Sequence, residues 1–284
     1  MSDQPEFHIE VEPSMEAYRK FWTSAAAEQL WIRSENAPKL LKLVKVLLLN
    51  WRAISYGAAM PEQFVLAGKA ALDTFRGSGG NTELLDIAPK IVNGLAAMVP
   101  DMVNEEGLAR RLEQSAIVLG AKFQEQRFQD TDVYPVDEAW QEHLKKPVFQ
   151  MYIWSSQRLC YQGVYNAYDD FVKQCIRTIL NLRPEDELAP KDPRLGKTFI
   201  ANFGKASWDK CWMSKEIKEV RMHRHSLTHS SGRITPKMRA ANINIEDIDD
   251  VIQIRPHRIR NLYKLLAPYA LEIIDKAVVM PCFA

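Results

Sequence analysis

The feature that most constrains this chain lies between residues 147 and 182, where Phe149, Ile153, Leu159, Tyr161, Val164, Phe171, Ile176 and Leu180 recur at helical spacings. A stripe of that period makes one long amphipathic helix, and such a helix has to bury its apolar face against other elements. Helical patterning dominates the rest of the chain as well. Sustained alternation of β-branched residues and hairpin dipeptides, the marks of strands, are nearly absent. The expected fold class is all-α, and 284 residues at 46% hydrophobic content can bury a substantial core.

Upstream, the pattern predicts helices over 15–32, 38–54, 61–75, 82–98 and 104–128, with Pro61, the glycine-rich segment 77–80 and Pro100 as punctuation. A polar, proline-terminated stretch at 130–135 marks the expected boundary between an N-terminal helical region, 1–135, and a C-terminal helical bundle, 136–284. Within the C-terminal part, a short helix is expected at 197–203 and a longer one from 207 or 208 to about 230, with Gly232 as its C-cap. Pro256 then opens a final helix that runs to 278.

Charge narrows the partners. The 37 basic and 36 acidic side chains nearly cancel, so any polyanion has to be met by a local patch. Such a patch runs from Lys205 to Arg239, with nine basic against three acidic residues. The four cysteines lack CxxC spacing and read as reduced thiols. The start, Met-Ser-Asp-Gln-Pro-Glu, lacks the features of a signal peptide, and the most apolar run, 40–51, is short and interrupted by Lys42 and Lys45. A cytoplasmic protein with no membrane association is expected.

Inside the basic patch lies Arg221-Met-His-Arg-His-Ser-Leu-Thr-His-Ser-Ser-Gly232. Arg224 offers a planar, permanently charged fork for phosphate oxygens, and His229 can exchange a proton near neutral pH. Five residues of separation set the two about 140° apart on an ideal helix, so they converge in one chain only if the helix loosens toward Ser230-Ser231-Gly232. One imidazole does not easily serve as acid and base on opposite sides of a phosphorus; two copies across a symmetric homodimer supply the second group.

The run Arg224-His225-Ser226-Leu227-Thr228-His229 resembles the R-x4-6-H signature of the HEPN superfamily (higher eukaryotes and prokaryotes nucleotide-binding), with His225 at the polar position after the arginine. The tyrosine-rich stretch 152–171 is similar to that family's long first helix, and the resemblance covers roughly 145–280. It implies a HEPN-like antiparallel helical bundle whose dimer brings two motifs together as a metal-independent endoribonuclease, without cofactor. The implied reaction is attack of the RNA 2′-hydroxyl on the adjacent phosphorus, leaving a 2′,3′-cyclic phosphate on single-stranded RNA or tRNA. In that picture Arg224 holds the phosphate, His229 is the general acid or base, and His225, Arg221 and Arg233 bind or orient the substrate. Toxin and phage-defence effectors are common in the family, with an antitoxin or defence-system partner. Other members are non-catalytic modules that bind RNA or a partner protein, or nucleases silenced by a partner, and for this chain a dimerising regulatory adaptor is a further alternative.

Blander readings exist for the same residues. His225 and His229 have the i, i+4 spacing of metal ligands, but the zincin glutamate and an obvious third ligand are missing, so no metal is assigned. Tyr165, Asn166, Asp169 and Asp170 can face the motif or form a polar surface stripe. Arg255, Arg258 and Arg260 extend a basic surface or are simply solvated, His257 reads as a surface residue at a helix N-terminus, and Trp208 and Trp212 suit core or dimer-interface packing better than base stacking. The acids at 246–250 lack the EF-hand pattern and read as a capping or solvated loop.

Overall fold

The computed structural model describes residues 11–77, 136–183, 186, 188, 192–243 and 245–284. Among them are nine α-helices: α1 (Ser24–Ser34), α2 (Pro38–Gly77), α3 (Val136–Leu144), α4 (Pro147–Ile179), α5 (Pro193–Phe203), α6 (Lys205–Cys211), α7 (Lys215–His229), α8 (Pro236–Ala240) and α9 (Pro256–Ala277). The fold is all-α, with one small hairpin among the described residues, β1 (Asp247–Ile248) with β2 (Val251–Ile252). No described helix is long and apolar enough to cross a membrane.

The chain divides into two compact units, 1–62 with 144–284, and 63–143. Residues 11–62 therefore share a unit with the C-terminal chain, whereas the sequence reading set a boundary at 130–135, outside the described residues. The helices expected at 82–98 and 104–128 also lie outside them. In the smaller unit the described parts are the end of α2 and most of α3, where Val65 and Trp140 are buried and Phe64 meets His143 edge to face at 5.8 Å.

In the larger unit α4 is the spine. Its buried stripe, from Phe149 and Ile153 through Val164, Tyr168 and Val172 to Ile176, follows the helical period and packs against the apolar face of α9. Leu159, read from the sequence as part of that stripe, lies on the other side at 68% exposure. Trp51 of α2 ties in by donating Nε1–H to the Val164 carbonyl at 3.0 Å, with its ring edge-on to Tyr263 of α9 at 5.2 Å. Buried Tyr168 likewise donates to the Cys211 carbonyl of α6 at 2.8 Å. Cys160, Cys175 and Cys211 are buried free thiols, and Cys282 is partly buried and free.

Four expectations shift, the first being the helix placed at 15–32, which is a short 3-10 turn at Met15–Tyr18 followed by α1 at Ser24–Ser34. The helices placed at 38–54 and 61–75 are one, with Pro61 inside α2. The single helix expected from 207 or 208 to 230 is two: α6 ends at Cys211, and Ser214 restarts the chain as an N-cap, its Oγ accepting from Ile217 N at 3.3 Å. The acidic loop at 246–250 turns a hairpin, with Asp249 and Asp250 in the left-handed region at φ 51° and 63°, where Asp is among the better tolerated residues.

Candidate functional site

The motif occupies the last two turns of α7 and the turn beyond it. Core residues Ile217, Val220, His223 and Leu227 set which face of α7 lies inward. At 100° per residue, that choice turns His225 and His229 to solvent and puts Arg224 at the edge of the buried face. The two exposed imidazoles sit side by side, ring centroids 4.8 Å apart at 47°.

The helix does not loosen before His229. It remains α-helical through that residue and ends at Ser230, so Arg224 and His229 of one chain stay about 140° apart and do not converge through a loosened helix end. The stop is sharp. The Ser226 carbonyl accepts from both Ser230 N and Gly232 N at 2.9 Å, while Ser231 and Gly232 adopt positive φ of 53° and 81°. Ser226, fully buried, donates Oγ–H to the Arg233 carbonyl at 2.5 Å, and Ile252 N of β2 donates to the Gly232 carbonyl at 2.8 Å. The hairpin thus backs the turn.

Arg221 takes a structural post. Its Nε donates to the Tyr165 hydroxyl at 2.8 Å and its guanidinium lies 4.2 Å from the Trp212 ring centroid, so it is committed to α4 and the α6–α7 joint. Burial pushes the Tyr165 phenol up to about 12, which keeps it protonated; its O–H points toward Asp169 Oδ1 at 3.5 Å, and Asp169 pairs with Lys173 at 2.5 Å. Of the polar residues considered on α4, Tyr165 and Asp169 are buried, whereas Asn166 and Asp170 are exposed.

Arg224 differs from Arg221. Among the described residues it has no carboxylate partner, and its buried Nε has no acceptor. Arg233, Lys218 and Lys237 are exposed cations without an acidic partner among the described residues, whereas Lys205, Lys210, Lys215 and Arg239 pair with Asp209, Glu272, Glu219 and Asp250. The patch is therefore weaker than its composition, and its uncommitted part is centred on α7 and the turn after it.

His223 is not a surface group. It is buried at 3% exposure, its Nδ1 lies 2.9 Å from the Glu219 carbonyl, its ring is edge-on to Tyr161, and burial lowers its pKa to about 4. No group of three or more His, Cys, Asp or Glu side chains that could hold a metal occurs among the described residues. Arg255, His257 and Arg258 converge on Glu246 at 3.0, 3.5 and 3.3 Å, and Arg260 donates to the Ala17 carbonyl at 3.0 Å, so these residues brace α9.

One member of the site escaped the sequence reading. Arg158 of α4 stacks over Trp154 at 4.1 Å and donates Nη2–H to the Ser231 carbonyl at 2.8 Å, directly under Gly232. Its i, i+4 spacing from Trp154 was legible, but its reach to residue 231 depends on tertiary register. Comparison of the chain with protein-family models, with curated proteins and with solved structures finds no match.

Proposed function

We propose that the α7 terminus binds RNA and cleaves it at a site shared by two copies of the chain, as a metal-independent endoribonuclease. The observation that carries this reading is an uncommitted arginine, Arg224, on the same two helical turns as two exposed, adjacent imidazoles, His225 and His229. An arginine without a carboxylate partner keeps its charge and donors for a phosphate, and imidazoles exchange protons near neutral pH.

Cleavage requires the 2′-hydroxyl to attack phosphorus in line with the departing 5′-oxygen, a base taking the hydroxyl proton and an acid delivering one to the leaving oxygen. His225 and His229 of one chain lie together on one face, so they serve one side of the phosphorus. A second copy supplies the other side and brings its Arg224 toward a facing His229. Arg233, with Lys218 and Lys237, would hold flanking phosphates.

The divergence of Arg224 and His229 along one helix favours a second reading, a module that binds RNA or a partner protein without cutting. Incubating the wild type and His229→Ala with single-stranded RNA and tRNA in excess EDTA separates the two. Cutting by the wild type alone, leaving 2′,3′-cyclic phosphate ends, supports the nuclease. Intact RNA throughout, with a gel shift lost in Arg224→Ala, replaces it with the binding module.

A further inference from the structure

A second feature of the larger unit lies apart from α7. Helices α1 and α2 leave an open groove of about 370 Å³, lined by Trp22, Trp31, Lys45, Leu48, Leu49 and Arg52 together with Ala27 and Glu28. An outward helix face ordinarily carries polar residues, yet Leu49 is 67% exposed, and Val46 and Ile32, next in sequence to Lys45 and Trp31, are 54% and 55% exposed. Val46 and Leu49, at i and i+3, share one face of α2, and aliphatic groups exposed together mark an interaction site more than a lone one does.

The charge along the α2 side of this surface is basic. Between residues 38 and 61, α2 carries Lys39, Lys42, Lys45 and Arg52 and no acid. Lys45 Nζ lies 4.8 Å from the Trp31 ring centroid and Arg52 Cζ 5.9 Å from that of Tyr56; neither has a carboxylate partner among the described residues. Glu28 is the one acid lining the groove among the described residues.

We propose that this groove receives the apolar face of an acidic amphipathic helix from a partner protein. Lys45, Leu48, Leu49 and Arg52 stand at i, i+3, i+4 and i+7, about 10 Å or two turns of helix, the span over which a docked helix presents its own anchors. Leucine-like side chains cover Leu49 and Trp31, and flanking carboxylates meet Lys45 and Arg52. Single-stranded nucleic acid fits less well: Lys45 already sits over the Trp31 ring where a base would stack, and Leu49 and Val46 would stay in water. A second copy of this surface would oppose cation to cation.

The test uses the full-length protein and a fluorescein-labelled peptide of about 16 residues, long enough for a marginal helix, with Leu at i, i+3, i+4 and i+7 and Glu at most other positions. Anisotropy should show saturable binding, weakened about tenfold or more by Leu49→Glu and by Lys45→Glu with Arg52→Glu, and weakened in ~0.5 M salt. A peptide with Ser in place of each Leu should not bind. All three positions are exposed, so thermal melts of the variants should match the wild type. Absence of saturable binding, equal binding by Leu49→Glu, or binding of an oligouridine in place of the peptide would each overturn the proposal. Arg224→Ala with His229→Ala should bind the peptide as the wild type does, so this groove and the nuclease reading stand or fall separately.

Discussion

Arg221 Nε donates to the phenolic oxygen of Tyr165 at 2.8 Å, and this bond sorts the two arginines of the motif into different jobs. Arg221, spread over Trp212, pins α7 to α4; Arg224, one turn later, has no carboxylate partner among the described residues. A motif that reads as a block of charge in the sequence is, in three dimensions, a fixed half and an available half.

Removing the Tyr165 hydroxyl should expose how much that anchoring contributes. Tyr165→Phe keeps a fully buried ring in place but takes from Arg221 Nε its acceptor, beside a buried Nη2 that has none among the described residues. An unpaired buried donor costs about 1–3 kcal/mol, so the urea midpoint should fall with the m-value unchanged. An unaltered midpoint would mean that Trp212 alone holds Arg221.

His223 makes stability depend on pH in a direction fixed by its burial. Desolvation lowers its pKa from 6.5 to about 4, so as pH falls through 6.5 the unfolded chain takes up the proton first. The stability from a neutral His223 is complete above pH 6.5 and is lost toward pH 4, on the order of 3 kcal/mol in all. His223→Gln cannot titrate; unfolding of the two proteins at a series of pH values should give slopes that part in this window. Parallel slopes would show His223 to be solvated in the native state.

Much of this architecture was legible because α4 and α9 carry their buried stripes at helical period, and α9 reads as continuous even across Pro268. Pro61 misled because a proline forfeits one helical hydrogen bond locally, a loss that packing of a long helix can outweigh, and no local rule tells the two cases apart. The restart at Ser214 was legible: Ser followed by an acid in the first turn is an N-terminal signal, and the apolar Cys211-Trp-Met run beside it masked the break. Two-residue strands are too short to show alternation, which hid the hairpin. At the site, the helix end and Gly232 could be read from the chain, but the burial of His223 and the reach of Arg158 and Arg221 depend on how α7 is rotated against α4.

Gly232 should resist substitution for two separable reasons. Its φ is +81°, and a Cβ there would lie 1.8 Å from Arg158 Nη2 and 2.8 Å from Cζ. Gly232→Ala therefore pays about 1 kcal/mol or more in backbone strain and also displaces Arg158 from the Ser231 carbonyl and from Trp154. Combining it with Arg158→Ala should remove the steric part and leave the backbone part, giving a double-mutant cycle that is not additive. Additive losses would mean that Arg158 swings away at no cost.

Mixing two inactive variants gives the sharpest test of a shared site. Arg224 and His229 lie about 140° apart around an unbroken helix, so on the proposed reading a site that uses both draws them from different chains. Arg224→Ala and His229→Ala should each abolish RNA cleavage alone. If the chain dimerises as proposed, about half of the dimers refolded from equal amounts are mixed, and one of the two sites in each then joins the intact His229 of one chain to the intact Arg224 and His225 of the other, so that an imidazole still stands on each side of the phosphorus. Cleavage should return to roughly a quarter of the wild-type rate, with cyclic phosphate ends, if the two sites act independently. A site built within one chain gives no recovery, because every chain in the mixture then lacks one of the two residues. The amount recovered thus reads the geometry directly: near a quarter places Arg224 and His229 on opposite protomers, and none places them on the same one.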